Sequence, residues 1–78
     1  MAESMEDVVD RAASDVFLRE QIDVQRWLRD EPGAWGALAG KATIASRELL
    51  GRPLTSDERR VVWAVMWARL VALRERPG

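Results

Sequence analysis

The segment VVWAVMWARLVAL at residues 61–73 limits the folds open to this chain more than any other feature. Twelve of its thirteen residues are apolar, and Arg69 is the exception. Placed on a helix, these apolar side chains occupy every side, which is typical of a helix that is buried all round or crosses a membrane. The segment is too short for a membrane span, which needs about 20 apolar residues. It therefore predicts a helix that is buried on both sides.

The length of the chain restricts what can cover that helix. With 78 residues we expect one domain, residues 1–78, and a domain of this size buries only a modest core. Cysteine and histidine are both absent, so neither a disulfide nor a zinc site of the common types can stabilise it. We expect no cofactor and no metal. Close helix packing and oligomerisation remain as the means of stabilisation.

Hydrophobic periodicity and capping signals divide the chain into three predicted helices. SMED and TSDE have the shape of capping boxes, with Ser4 and Thr55 as N-caps. Gly51 is typical of a left-handed residue at a helix end, and Pro32 suits a first helical turn. The pattern leaves open whether the first helix is continuous through Ser14 and Asp15. The predicted helices span about residues 4–29, 32–50 and 55–75.

The resulting fold prediction is all-α: a compact three-helix bundle. Two helices can cover only one side of the third, so its opposite side needs a cover from outside the monomer. Because most soluble oligomers are symmetric homo-oligomers, a second copy of the chain is the simplest cover. We therefore predict a homo-oligomer, a dimer in the simplest case, assembled through the third helix.

Apolar and arginine side chains form the predicted protein interface. Trp and Arg are the residue types that dominate binding hot spots, and Arg69 is placed to fix orientation. Two apolar residues of the first helix lie outside its main stripe and could form a second contact. The candidate interface residues are Trp63, Met66, Trp67, Arg69, Leu70, Leu18 and Ile22.

Arg69 has two alternative roles in this scheme. Its guanidinium can extend along the helix edge to solvent. Alternatively it can pair with an acid of the first helix, Asp15, Glu20 or Asp23, in the same chain or in a partner. Such a pair would set register more than it would add stability.

Glycines in the second helix suggest a close approach by a bulky group. Gly36 and Gly40 each cost about 0.5–1 kcal/mol relative to alanine inside a helix. The four tryptophans are candidates for that bulky group.

Composition argues against catalysis, because the chain has no His, Cys or Tyr and only one Lys. The predicted function is a small non-catalytic protein-interaction module of regulatory, adaptor or accessory type, either self-associating or an obligate partner of another protein. The alternative is a nucleic-acid-associated regulator, because residues 41–78 carry eight basic and four acidic residues. Phosphate contacts would then use Arg47, Arg52, Arg59 and Arg60.

The expected location is the cytoplasm. The acidic stretch MAESMEDVVD lacks the apolar run of a signal peptide, and no segment is long enough to enter a membrane.

Overall fold

The computed structural model describes residues 4–76, and this part of the chain contains four helices and no strand. The all-α prediction is confirmed, whereas the count of three helices is wrong. Residues 1–3 and 77–78 of the predicted domain lie outside the described residues. The radius of gyration of the Cα atoms is 12.4 Å. The helices are α1 (Met5–Arg19), α2 (Gln21–Leu28), α3 (Ala34–Leu50) and α4 (Ser56–Arg74).

The fourth helix arises because the predicted first helix bends at Glu20. Ser14 and Asp15 both lie within α1, so the helix is continuous there. At Glu20 the backbone leaves the helical region, with φ −113° and ψ 44°, although its N–H still donates to the carbonyl of Val16. Neither Gly nor Pro stands at this position, which is why the capping and breaker signals did not reveal the bend.

Lys41 of α3 joins the two sides of this bend. Its Nζ donates to Glu20 Oε2 at 2.9 Å and to Asp23 Oδ2 at 2.7 Å. Asp23 is buried, and its other carboxylate oxygen accepts from Arg26. The hydrogen bond from Lys41 lowers the pKa of Asp23, and the bond to Asp23 raises the pKa of Lys41. The only lysine of the chain thus connects α1 and α2 to α3.

Local capping chemistry fixes the starts of α1 and α4 as predicted. The Ser4 side chain accepts a hydrogen bond from the backbone N–H of Asp7. At α4 the Glu58 N–H donates to Thr55 Oγ1, and the Thr55 N–H donates back to Glu58 Oε1. Gly51 ends α3 in the left-handed region, with φ +73°.

The start of α3 differs from the prediction. Pro32 precedes the helix instead of forming its first turn, and Gly33 is the N-cap, with φ +84°. Asp30 also has a positive φ of 59°. These two left-handed residues turn the chain tightly between α2 and α3, and they displace the helix start to Ala34.

A line of three α4 side chains forms the centre of the core. Val62, Met66 and Leu70 are fully buried, as are Val9 of α1 and Leu38 of α3. Burial of side chains of this size stabilises the fold by about 1.5–3 kcal/mol each. The remaining buried hydrophobic members of this cluster are Ala13, Val16, Val24, Trp27, Ala34, Ala42 and Leu54.

The monomer buries only one side of α4. Trp63 and Trp67 keep 42% and 49% of their surface exposed. Within residues 4–76, α1 and α3 supply the main packing against α4, and α2 reaches α4 through the Trp27–Trp67 contact, so the second cover that the sequence predicts does not come from this part of the chain.

Replacing Met66 with alanine tests the position of the core line. We expect Met66→Ala to lower the free energy of unfolding by about 2–5 kcal/mol, because a fully buried side chain leaves a cavity. The measurement is chemical denaturation followed by circular dichroism. The control Ile44→Ala truncates a half-exposed side chain and should change stability by about 0.5 kcal/mol or less. Equal losses in the two variants would contradict the packing described here.

Candidate interaction surface

Three tryptophans from three helices meet in one cluster: Trp27 of α2, Trp35 of α3 and Trp67 of α4. The ring of Trp67 lies 5.6 Å from that of Trp27 and 5.2 Å from that of Trp35, measured between centroids. Both pairs are edge-to-face, with interplanar angles of 88° and 86°. Each such contact contributes roughly 0.5–1.5 kcal/mol beyond area burial. Trp67 is therefore held in a fixed orientation although half of it is exposed.

Arg74 also contacts this cluster, at the ring and the backbone of Trp27. Its guanidinium carbon lies 4.0 Å from the ring centroid of Trp27. The same group donates to the carbonyl oxygen of Trp27 at 2.8 Å and to Asp30 Oδ1 at 2.9 Å. The cluster was not predicted as a unit, because nothing local in the sequence relates Trp27, Trp35 and Trp67.

The outward side of α4 is apolar over several turns. Ala64, Ala68 and Ala72 are exposed along it, beside Trp63 and Trp67. An outward helix side normally carries polar residues. Contiguous exposed apolar patches are a feature of interaction sites, so this side of α4 is the candidate surface.

Arg69 is the single charged residue between positions 61 and 73, and it does not interrupt this surface. Its guanidinium lies 2.7 Å from Asp10 Oδ1 of α1, and 35% of its side chain is exposed. Pairing with an acid of the first predicted helix was one of the two expected roles, but the acid is Asp10.

The three acids named for that role have other contacts. Asp15 lies 3.1 Å from Arg19, and the carboxylates of Glu20 and Asp23 contact Lys41. Asp10 was missed because the relative axial positions of α1 and α4 are set by packing, which periodicity does not specify.

An open groove runs between α3 and α4 beside the tryptophan cluster. Its walls include Trp35 and Trp63, and its floor is made of small residues. A Cβ added at Gly36 or Gly40 would meet nothing within 4 Å. The expected close approach of a bulky side chain to these glycines is therefore wrong. The full lining is Trp35, Gly36, Ala39, Gly40, Thr43, Arg59 and Trp63.

Apart from Arg69, the structure separates the predicted interface residues into three groups. Met66 and Leu70 lie fully buried in the core, so they serve the fold and present no surface. Trp63 and Trp67 are half-exposed on α4. Leu18 and Ile22 are 74% and 79% exposed on α1 and α2, as a second apolar site.

The arginines proposed for phosphate contacts are largely engaged within the chain. Arg52 makes two hydrogen bonds of 2.7 Å to the carboxylate of Glu58. Arg60 lies 3.3 Å from Asp57, and Arg59 donates to the hydroxyl of Ser56. Arg47 is exposed on α3.

No family model, curated protein or solved structure matches this chain. Among residues 4–76 no group of His, Cys, Asp and Glu side chains could hold a metal ion. In the same range no helix is long and apolar enough to cross a membrane.

Acid titration tests the Arg52–Glu58 contact. The hydrogen bonds from Arg52, and then that from the Thr55 N–H, lower the pKa of Glu58 from 4.5 to about 2. A carboxyl group with a lowered folded-state pKa stabilises the fold above its ordinary pKa, and this contribution is lost as the pH falls. We therefore expect the melting temperature to fall between about pH 4.5 and pH 2, and to fall less in Glu58→Gln.

The matched control is Glu48→Gln, which removes an exposed carboxylate of α3 and leaves the Arg52 contact intact. Its melting temperature should follow that of the unmodified chain across the titration. Parallel curves for Glu58→Gln and the unmodified chain would contradict the assigned contact.

Charge exchange tests the Arg69–Asp10 contact. Arg69→Glu places two carboxylates side by side and should lower stability by roughly 0.5–1 kcal/mol, the scale of surface ion pairs. The double variant Asp10→Arg, Arg69→Glu restores opposite charges and should recover most of that loss. The measurement is thermal unfolding of Arg69→Glu, of Asp10→Arg and of the double variant. Additive losses would show that the two side chains do not interact.

Proposed function

We propose that the chain is a small non-catalytic protein-interaction module that binds through the outward side of α4. It acts as a regulatory, adaptor or accessory protein and assembles as a homo-oligomer, in the simplest case a dimer. The observation that carries the proposal is the half-exposed state of Trp63 and Trp67 on a helix whose residues from 61 to 73 are uncharged apart from Arg69, which pairs with Asp10.

The energetics of such a surface favour binding. Tryptophan offers a large apolar area with few rotatable bonds, so its burial costs little conformational entropy. Trp67 is already oriented by Trp27 and Trp35, and a partner gains from that preorganisation. The alanines beside it allow a partner helix to approach closely.

The composition supports a function without catalysis. The chain has no His, Cys or Tyr, so general acid–base chemistry would rest on carboxylates and one lysine. That lysine, Lys41, is engaged with Glu20 and Asp23.

Nucleic-acid binding is the competing function, and the ion pairs weaken its case. Arg52 and Arg60 would have to leave Glu58 and Asp57 to contact phosphates. Arg59 and Arg47 are free of a carboxylate contact within residues 4–76 and could still contribute. Binding of this kind weakens steeply with salt, whereas an apolar helix interface persists.

A double substitution on the outward side of α4 tests the proposed function. Trp63→Arg, Ala64→Arg places two charges on exposed positions, so we expect the fold to persist and the oligomer to dissociate. The measurement is the solution mass by light scattering across dilution, at low and high salt, with circular dichroism as the check on folding. The unmodified chain should keep its oligomeric mass at high salt.

The matched control is Ile44→Arg, Leu49→Arg, which adds the same charge at two half-exposed apolar positions of α3. It should leave the mass unchanged. A monomeric unmodified chain that binds duplex or single-stranded nucleic acid with a steep salt dependence would overturn the proposal in favour of the competing function.

A further inference from the structure

A second line of residues runs along α4 on the side opposite its buried line. It contains Asp57, Val61, Ala64, Ala68, Val71 and Glu75, at spacings of four and three residues in alternation. This is the repeat of a helix seam that packs against one other helix. Ala64 and Ala68 at its centre are exposed, and Val61 and Val71 are half-buried.

The seam is only partly covered within residues 4–76, because Val61 and Val71 pack against the core cluster and Ala64 and Ala68 are exposed. The line of Val62, Met66 and Leu70 is fully buried, so α4 carries two apolar lines, of which the monomer fully buries one. A surface helix without a partner would place polar residues at the seam positions.

The charges at the two ends of the seam indicate what covers it. Arg60 lies beside the seam in the second turn of α4, and Glu75 closes the seam at its end. Arg60 makes an exposed hydrogen bond of 3.3 Å to Asp57 of the same helix, and the Asp57 side chain is 91% exposed. Glu75 is exposed and makes no ion pair with the rest of the described chain. Opposite charges at opposite ends are self-complementary when two copies of the helix run antiparallel.

We infer that two copies of the chain pair through α4 in antiparallel orientation, about a two-fold axis between Trp67 and Ala68. This inference rests on the proposed function and specifies its partner and geometry. Residue 60 then faces residue 75 of the second copy, so Arg60 meets Glu75 twice by symmetry. Parallel pairing would instead place Arg60 against Arg60 and Glu75 against Glu75.

Packing between Ala64 and Val71, two positions of the seam, favours the same arrangement. The axis places Ala64 opposite Val71 of the second copy, so a small residue faces a larger one on both sides. The antiparallel orientation also aligns the helix dipoles favourably. Trp67 lies beside the axis with its ring half-exposed, and its contacts with Trp27 and Trp35 fix its orientation.

Ala68→Arg tests the surface. The position is exposed in the monomer, so the fold should be unchanged, as measured by circular dichroism and melting at low concentration. When two copies pair, the arginine introduced at position 68 would be buried near the axis without a partner charge. We therefore expect the dissociation constant of the dimer to rise by roughly 100-fold or more. The control Ile44→Arg adds the same charge at an exposed position of α3 and should leave the constant unchanged.

A single spin label tests the orientation. The chain has no cysteine, so Ser56→Cys, in the first turn of α4, gives one unique labelling position. From the helical rise, antiparallel copies should place the two labels about 35 Å apart along α4. Parallel copies would bring the two helix axes to within about 10 Å at this position. The distance is measured by pulsed electron resonance on the assembled protein.

A charge exchange tests the proposed contact between Arg60 and Glu75 of the second copy. Arg60→Glu and Glu75→Arg should each weaken association, and the double variant should restore it, because the exchange preserves the pairing between copies.

The outcomes separate the inference from the function on which it rests. A mass-confirmed dimer that dissociates in Ala68→Arg and gives the long label distance supports the inference. A dimer with a short label distance, or one insensitive to Ala68→Arg but lost in Trp63→Arg, Ala64→Arg, overturns the antiparallel seam and leaves the proposed function standing. A chain that stays monomeric at all concentrations overturns the inference. A dimer lost only in Leu18→Glu, Ile22→Glu overturns both, because the interface then lies on α1 and α2.

Discussion

Burial of Val62, Met66 and Leu70 is the interaction on which the other helices depend. These three side chains are fully buried on one side of α4, where the core residues of α1, α2 and α3 join them in one cluster. With α1 and α3 packed against this side, and α2 reaching α4 at Trp67 and Arg74, no helix within residues 4–76 covers the exposed alanines on the other side. The apolar outward side of α4 is thus a direct consequence of how the core is built.

The ion pairs between the two halves of the chain also hold the helices in this arrangement. The first forty residues carry four arginines and nine acids, and the remainder carries an excess of basic residues. Arg69 contacts Asp10, Arg74 contacts Asp30, and Lys41 contacts both Glu20 and Asp23. Each pair joins a cation of the second half to an acid of the first. Surface pairs of this kind add little stability, but they fix how the helices are placed relative to one another.

The sequence predicted those features that a few neighbouring residues determine. The caps at Ser4 and Thr55 and the helix end at Gly51 are of this kind, because each needs only a side chain and the adjacent backbone. The bend at Glu20 was missed because its stabilising partner, Lys41, is twenty-one residues away. The tryptophan cluster and the Arg69–Asp10 contact were missed for the same reason. Amphipathic periodicity identifies the sides of a helix, but the axial position of one helix against another depends on packing across the whole core.

The ion pairs also shape the chemistry of the exposed surface. An arginine in the middle of an outward helix would ordinarily keep the surface around it hydrated. Because Arg69 turns toward Asp10 on α1 and Arg74 turns toward Asp30 and the ring of Trp27, neither interrupts the apolar line between Val61 and Val71. The contacts that position α4 in the bundle therefore also keep charge away from its outward side. A substitution that breaks them would be expected to act on the fold and on association together, whereas a substitution at Ala68 should act on association alone.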